Sequence, residues 1–220
     1  MRQRLVIAID GPAGSGKSTV ARALAGRLRL PHVDTGAIYR ALTLKAMREG
    51  VDPADATALG RMSEATDIQI RDGSIVLDGE DVTREIRSPK VTEAVSIASA
   101  HPAVRRRMVE IQRRLLPSEG AVVEGRDIGT VVLPNADLKV FLVAAPEERA
   151  RRRARDLAAD GIQGDPAAVL EEINLRDRLD SERPVSPPEP AQDAIVIDST
   201  DLALDEVVDR IVSLVEERRS

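Results

Sequence analysis

One stretch near the start of the chain constrains the fold more than any other. The β-branched run Leu5-Val6-Ile7-Ala8-Ile9 reads as a buried strand and leads into Asp10. Gly11-Pro12-Ala13-Gly14-Ser15-Gly16-Lys17-Ser18-Thr19 follows, and then a helical run. This satisfies G-x-x-x-x-G-K-[ST] in full, in the strand-to-helix setting that gives the pattern its meaning. The glycines let the backbone curl so that N–H groups face a bound phosphate, and the helix behind adds its positive end. Lys17 then bridges β- and γ-phosphoryl oxygens of a nucleotide, and the Ser18 hydroxyl ligates its magnesium, leaving Thr19 spare within the nucleotide-binding segment Gly11 to Thr19. Where the phosphate goes next is not written in this stretch.

The chain has 220 residues, enough for one sizeable α/β core with small insertions and short for two full domains. At 42% hydrophobic and 31% charged it is expected to fold, and no apolar run approaches the roughly 20 residues of a membrane span. With the N-terminus running directly into a core strand and no cysteine, the expectation is a cytoplasmic protein without a signal peptide, disulfides or thiolate zinc. A formal charge of −5 argues against a general nucleic-acid binder. Only Lys17, Lys45, Lys90 and Lys139 are lysines, so positive charge is nearly all arginine, whose planar fork suits phosphate wherever it clusters with other ligand-like residues. Tyr39 and Phe141 are the only aromatics, so a bound base is held by hydrogen bonds, aliphatic walls or guanidinium planes.

Helical spacing of Val20, Leu24 and Leu28 predicts a first helix that Pro31 ends. His32-Val33 is a short extended piece entering a second helix, with Asp34 or Thr35 as its N-cap and Gly50 closing it; capping alone would account for that pair. His32 has no second ligand at metal spacing and reads as a surface or packing residue. A short helix over 54–65 gives way to alternating Ile68, Ile70, Ile75 and Leu77 around the turns Asp72-Gly73 and Asp78-Gly79, a small antiparallel insertion on the substrate side or simple decoration. Helices follow over about 89–100 and 103–116, the first with Ser88 as N-cap. The run 121–124 is a second core strand ending at Gly125-Arg126-Asp127, in the crevice where strand one delivers its loop. Runs 138–143 and 194–198 are further core strands, and alternation with helices argues a parallel sheet covered on both faces. Arginines 149, 151, 152, 153 and 155 stand on a helix that is either solvated or functional. After a turn over 161–165, a second helix reaches about Ser181, where Arg176, Asp180 and Arg183 are spaced i, i+4, i+7 on one face, as an ordinary ion-pair stripe would be. These two helices above a proline-rich loop read as a hinged lid.

Several separated blocks together resemble one family. They are Ile9-Asp10-Gly11-Pro12 with the phosphate loop, Asp34-Thr35-Gly36-Ala37-Ile38-Tyr39-Arg40, Gly79 to Thr83 with Ile86-Arg87, Val95-Ser96 to Pro102 with Val104-Arg105, Gly125 to Val132, and Arg176-Asp177 with Asp180 and Arg183. The chain is similar over essentially its whole length to the bacterial-type cytidylate kinases, of the nucleoside monophosphate kinase group of P-loop proteins. The resemblance implies an α/β P-loop NTPase three-layer sandwich. Residues 1–60, 103–148 and 190–220 would form the core, 61–102 an inserted monophosphate-binding subdomain, and 149–189 a lid and hinge. It implies transfer of the ATP γ-phosphate to CMP or dCMP with Mg2+, by a monomer with no nucleic-acid or membrane partner. Lys17, Arg126, Arg176 and Arg183 would be catalytic. Arg40, Arg126, Arg176 and Arg183 would hold the acceptor phosphate and the transferring group, Ser96, Arg105 and Asp127 would read cytosine, Asp180 would bind the sugar hydroxyls, and Thr35 would line the acceptor site. A carboxylate accepting from the exocyclic amine suits cytosine, whereas the carbonyl of uracil would oppose it. The rivals are a kinase for another small acceptor, such as shikimate or another monophosphate, and a P-loop switch or ATPase.

Overall fold

The computed structural model describes residues 4–71, 73–159, 161 and 165–218. β1 (Leu5–Asp10) is buried along its whole length, which its unbroken apolar sequence requires of a strand covered on both faces. Leu5, Ile7 and Ile9 turn one way, onto Val20 and Leu24 of α1 (Lys17–Leu28) and onto Val207, Val208, Ile211 and Val215 of α8 (Leu204–Glu217). Val6 and Ala8 turn the other way, onto Val33, Val123, Ile128 and Val132.

The intervening elements are β2 (His32–Asp34), α2 (Thr35–Arg48), α3 (Ala56–Glu64), β3 (Ile68–Arg71), β4 (Ser74–Leu77), β5 (Glu80–Asp81), α4 (Pro89–Ala98), α5 (Pro102–Arg114), β6 (Gly120–Glu124), β7 (Leu138–Val143), α6 (Pro146–Ala159), α7 (Pro166–Ser181) and β8 (Ile195–Asp198). Among the described residues, five parallel strands form one sheet in the order β2-β6-β1-β7-β8. The short extended piece at His32-Val33 is therefore an edge strand, paired through His32 with Val122 and Asp34 with Glu124. Because Ile9 faces Glu124 and Asp34 faces Glu124, β1, β2 and β6 end at one level. Everything that follows those ends, the loop from Gly11, Thr35, and Gly125-Arg126-Asp127, opens into one crevice.

β3, β4 and β5 form a separate antiparallel sheet, as the alternation of Ile68, Ile70, Ile75 and Leu77 predicts. Asp72 of its first turn lies outside the described residues, and the second turn bends at Asp78 and Gly79, both at positive φ. This sheet packs with Leu42, Leu59, Ile86 and Met108 in an apolar cluster drawn from residues on both sides of positions 61 and 102. α6 and α7 lie against each other through Ala150, Leu157, Val169 and Ile173; most of the turn expected between them, 162–164, lies outside the described residues. Of the two candidate caps for α2 it is Asp34 that serves, accepting from Ala37 N–H at 3.1 Å, and Ser88 occupies the N-cap of α4 as expected, without a side-chain bond. A single π-turn over Ile128–Val132, which no pattern in the sequence announces, follows Asp127.

Candidate active site

The loop leaves β1 through Gly11 at φ +147°, pressed so closely on β7 that a Cβ there would stand 2.1 Å from Leu142 O. Only glycine fits that approach. Ala13, Gly14, Gly16, Lys17, Ser18 and Thr19 line a cleft of about 1530 Å³, whereas Gly11, Pro12 and Ser15 support the loop from behind. Lys17 is buried and curls back, its Nζ donating to Pro12 O at 2.5 Å and Ser15 Oγ at 3.3 Å. Ser18 Oγ donates to Glu124 Oε2 at 2.6 Å. Glu124 Oε1 accepts from His32 Nε2 at 2.9 Å, and its carbonyl from the Thr35 hydroxyl at 2.7 Å.

Thr35, Arg40, Ser96, Arg105, Arg126 and Asp127 line the same cleft, as do Arg176, Asp180 and Arg183. The structure thus brings together every residue expected on the acceptor side. Arg126 Nε donates to Asp180 Oδ2 at 3.0 Å, and Arg183 Nε to Asp180 O at 2.9 Å. Arg183 lies beyond the end of α7, so Arg176, Asp180 and Arg183 do not share one helical face as their spacing suggested; the chain turns at Glu182 and brings Arg183 back. Arg40 is held by Ile86 O and Thr92 Oγ1, at 3.2 and 2.8 Å. Arg105 and Asp127, both buried, are joined through Nη2 and Oδ2, while Arg105 Nη1 donates to Ser99 O at 3.3 Å and its guanidinium carbon lies 5.5 Å from the Tyr39 ring centre.

Cations outnumber carboxylates here. Burial, reinforced by Arg126, pushes the Lys17 ammonium well below its usual pKa, and burial with Arg126 nearby does the same to Arg176. Arg40 is depressed by burial, then by Arg176 and Arg87, and Arg183 by burial in spite of Asp180. A guanidinium does not give up its proton in a protein, so the arginine shifts express first the cost of burying charge, to which neighbouring cations add at Arg40 and Arg176, and a bound polyanion would offset both.

Two groups bonded to the phosphate loop were not singled out by sequence. Glu124 passed as the last residue of a strand, although the position of Arg126 and Asp127 just beyond the same strand end was a signal that reached it. Arg149, on the helix left open between a solvated and a functional reading, is 5% exposed and bonded to the phosphate loop. Among the described residues no group of three or more His, Cys, Asp or Glu side chains could hold a metal. The donor set at Ser18, a hydroxyl backed by the Glu124 carboxylate, instead suits a magnesium ion whose remaining ligands are water and phosphate oxygens. No described helix is long and apolar enough to cross a membrane.

The family model described as "Cytidylate kinase" matches residues 7–217. The cytidylate kinase of Pelotomaculum thermopropionicum is 51% identical over 218 residues, covering 97% of this chain and 96% of that protein. That of Geobacillus kaustophilus is 51% identical over 222 residues, 99% of each, and that of Mycobacterium leprae 50% identical over 215 residues, 97% and 96%. A solved structure of an uncharacterized protein from Eubacterium ventriosum shares the fold alone, with a TM-score of 0.52 at 15% identity over 98% of this chain and 99% of that one.

Proposed function

The chain belongs to the cytidylate kinase family and is a phosphotransferase acting on CMP or dCMP, and from that premise we propose how its cleft divides the work. Gly11 to Thr19 is the donor half, Arg40, Arg126, Arg176 and Arg183 are the phosphate contacts of the acceptor half, and Ser96, Arg105 and Asp127 read the base. The observation that supports this is that members of both sets line one cleft. Bound ATP supplies the phosphoryl group, and bound Mg2+ neutralises charge on its oxygens. The acceptor is itself a phosphate oxygen with a second pKa of about 6, so no side chain needs to remove a proton. The chain's contribution is alignment and charge. Lys17, Arg126, Arg176 and Arg183 neutralise the charge that spreads over the transferring group, in a site from which closing helices exclude water. Asp127 offers the oxygen not bound to Arg105 to the cytosine amine, and the Arg105 fork faces the ring acceptors. Asp180 and Thr35 hold the sugar and the monophosphate end.

A coupled assay of ADP release across CMP, dCMP, UMP and shikimate tests the reading. CMP and dCMP should stimulate release strongly and shikimate not at all. Equal stimulation by UMP would overturn the role given to Asp127.

A further inference from the structure

Arg149 and Asp177, which do not line the cleft, belong to a set of bonds to the phosphate loop with no part in the scheme above. Asp177 Oδ1 accepts from the Ala13 N–H at 3.3 Å, and Asp177 Oδ2 accepts from Arg149 Nη1. The same Nη1 donates to Ala13 O at 3.0 Å, while Arg149 Nε donates to Ala144 O at 3.1 Å. One turn further along α6, Arg152 Nη1 donates to Ser15 O at 3.2 Å and to Ser199 Oγ at 3.0 Å.

Arg149, which does not line the cleft, holds the Ala13 carbonyl from outside it, while Arg152, which does line the cleft, holds that of Ser15. In a planar trans peptide the carbonyl and the following N–H point in opposite directions. Pinning Ala13 O outward on Arg149 therefore aims the Gly14 N–H inward. Gly14 and Gly16 are two of the residues that line the cleft. Asp177 also adjoins Arg176 in α7, so one rigid helix meets the donor loop with one residue and the acceptor wall with the next.

We propose that Arg149 and Asp177 are positioning residues: they set the orientation of the Ala13–Gly14 peptide in the donor loop and fix that loop in register with the helix that carries Arg176. The proposal rests on the donor and acceptor roles assigned above to Gly11–Thr19 and Arg176. Neither side chain is required to touch substrate. Each acts through the backbone of Ala13 or through the placement of Arg176. An error of about 1 Å in such alignment costs on the order of a hundredfold in rate.

Three variants test it: Asp177→Ala removes both bonds, Asp177→Asn keeps an oxygen for the Ala13 N–H but loses the charge, and Arg149→Lys keeps charge but loses the fork. The measurements are kcat, KM for ATP and for CMP, and hydrogen exchange of the amides of residues 13–16. Asp177→Ala and Arg149→Lys should lower kcat by about ten- to a hundredfold, leave KM for CMP within about threefold, and speed loop exchange about tenfold. Asp177→Asn should recover a substantial part of kcat. The proposal is overturned by a kcat within about twofold of the parent in the two stronger variants, or by a lost kcat with loop exchange unchanged. Should Asp177→Ala not fold, Asp177→Asn and Arg149→Lys carry the same comparison. Loop exchange requires no acceptor, so absence of CMP-stimulated turnover in the parent would count against the acceptor roles while exchange still decided on the latch.

Discussion

Asp10 stands at the end of the central strand with both carboxylate oxygens engaged, Oδ1 accepting from Ile128 N–H at 2.8 Å and Oδ2 from Gly129 N–H at 2.7 Å. These two bonds tie β1 to the π-turn that follows Asp127. They favour the ionised carboxylate, but burial outweighs them and raises the pKa from 3.8 to about 6. The folded protein therefore holds this proton more tightly than the unfolded chain. Its contribution to stability is complete below pH 4 and is lost as pH rises through 6. The difference is on the order of 3 kcal/mol. Thermal midpoints of the parent and of Asp10→Asn, measured from pH 4 to 7, should show the parent losing several degrees relative to the variant. A pH-independent gap between the two would contradict the raised pKa.

Glycine is not one feature but two when read element by element. At the start of β6, Gly120 has φ +103°, and a Cβ there would lie 2.1 Å from Leu5 O and 2.7 Å from Leu5 N in the neighbouring strand. Backbone atoms inside a parallel sheet have nowhere to go, so Gly120→Ala should cost about 3 kcal/mol or more in denaturant unfolding. Gly26, within α1, has nothing near its absent side chain, and Gly26→Ala should instead stabilise by about 0.5–1 kcal/mol. Opposite signs from one substitution would confirm that the sheet junction, not glycine content, sets the requirement. The elements themselves were largely legible, because strand, loop and helix each carry a local pattern. The contacts that complete the site were not. Ser18 meets Glu124 across 106 positions, Ala13 meets Asp177 across 164, and Arg149 meets Asp177 across 28. No periodicity reports such pairings; they follow from strand order, which sequence left open. Even β2, three residues long, needed β6 beside it to become a strand.

At the scale of the whole molecule, a chain of net charge −5 gathers Lys17, Arg40, Arg126, Arg176 and Arg183 around one cleft. Carboxylates such as Asp180 and Asp127 pair with some of the cleft's cations but are outnumbered there, and the fold bears the cost of burying like charges together. Ligands that relieve that repulsion should stabilise it by linkage, about 2.7 kcal/mol at a hundredfold excess over Kd. CMP and ADP should each raise the thermal midpoint. In Arg176→Ala the rise with CMP should shrink more than the rise with ADP; an undiminished response to CMP would remove Arg176 from the acceptor wall.

The strand order carries a consequence for how the protein comes into being. β1 is flanked by β6 and β7, so its partners are residues 120–124 and 138–141. On the ribosome the phosphate loop is made before residues 120–141, so its parent strand waits without either neighbour until those have followed. Among the described strands, those that pair locally in that interval are β3, β4 and β5. A loop made before its strand's partners thus takes its shape only after them, and an apolar strand such as Leu5 to Ile9 is what a chaperone would find exposed in the meantime.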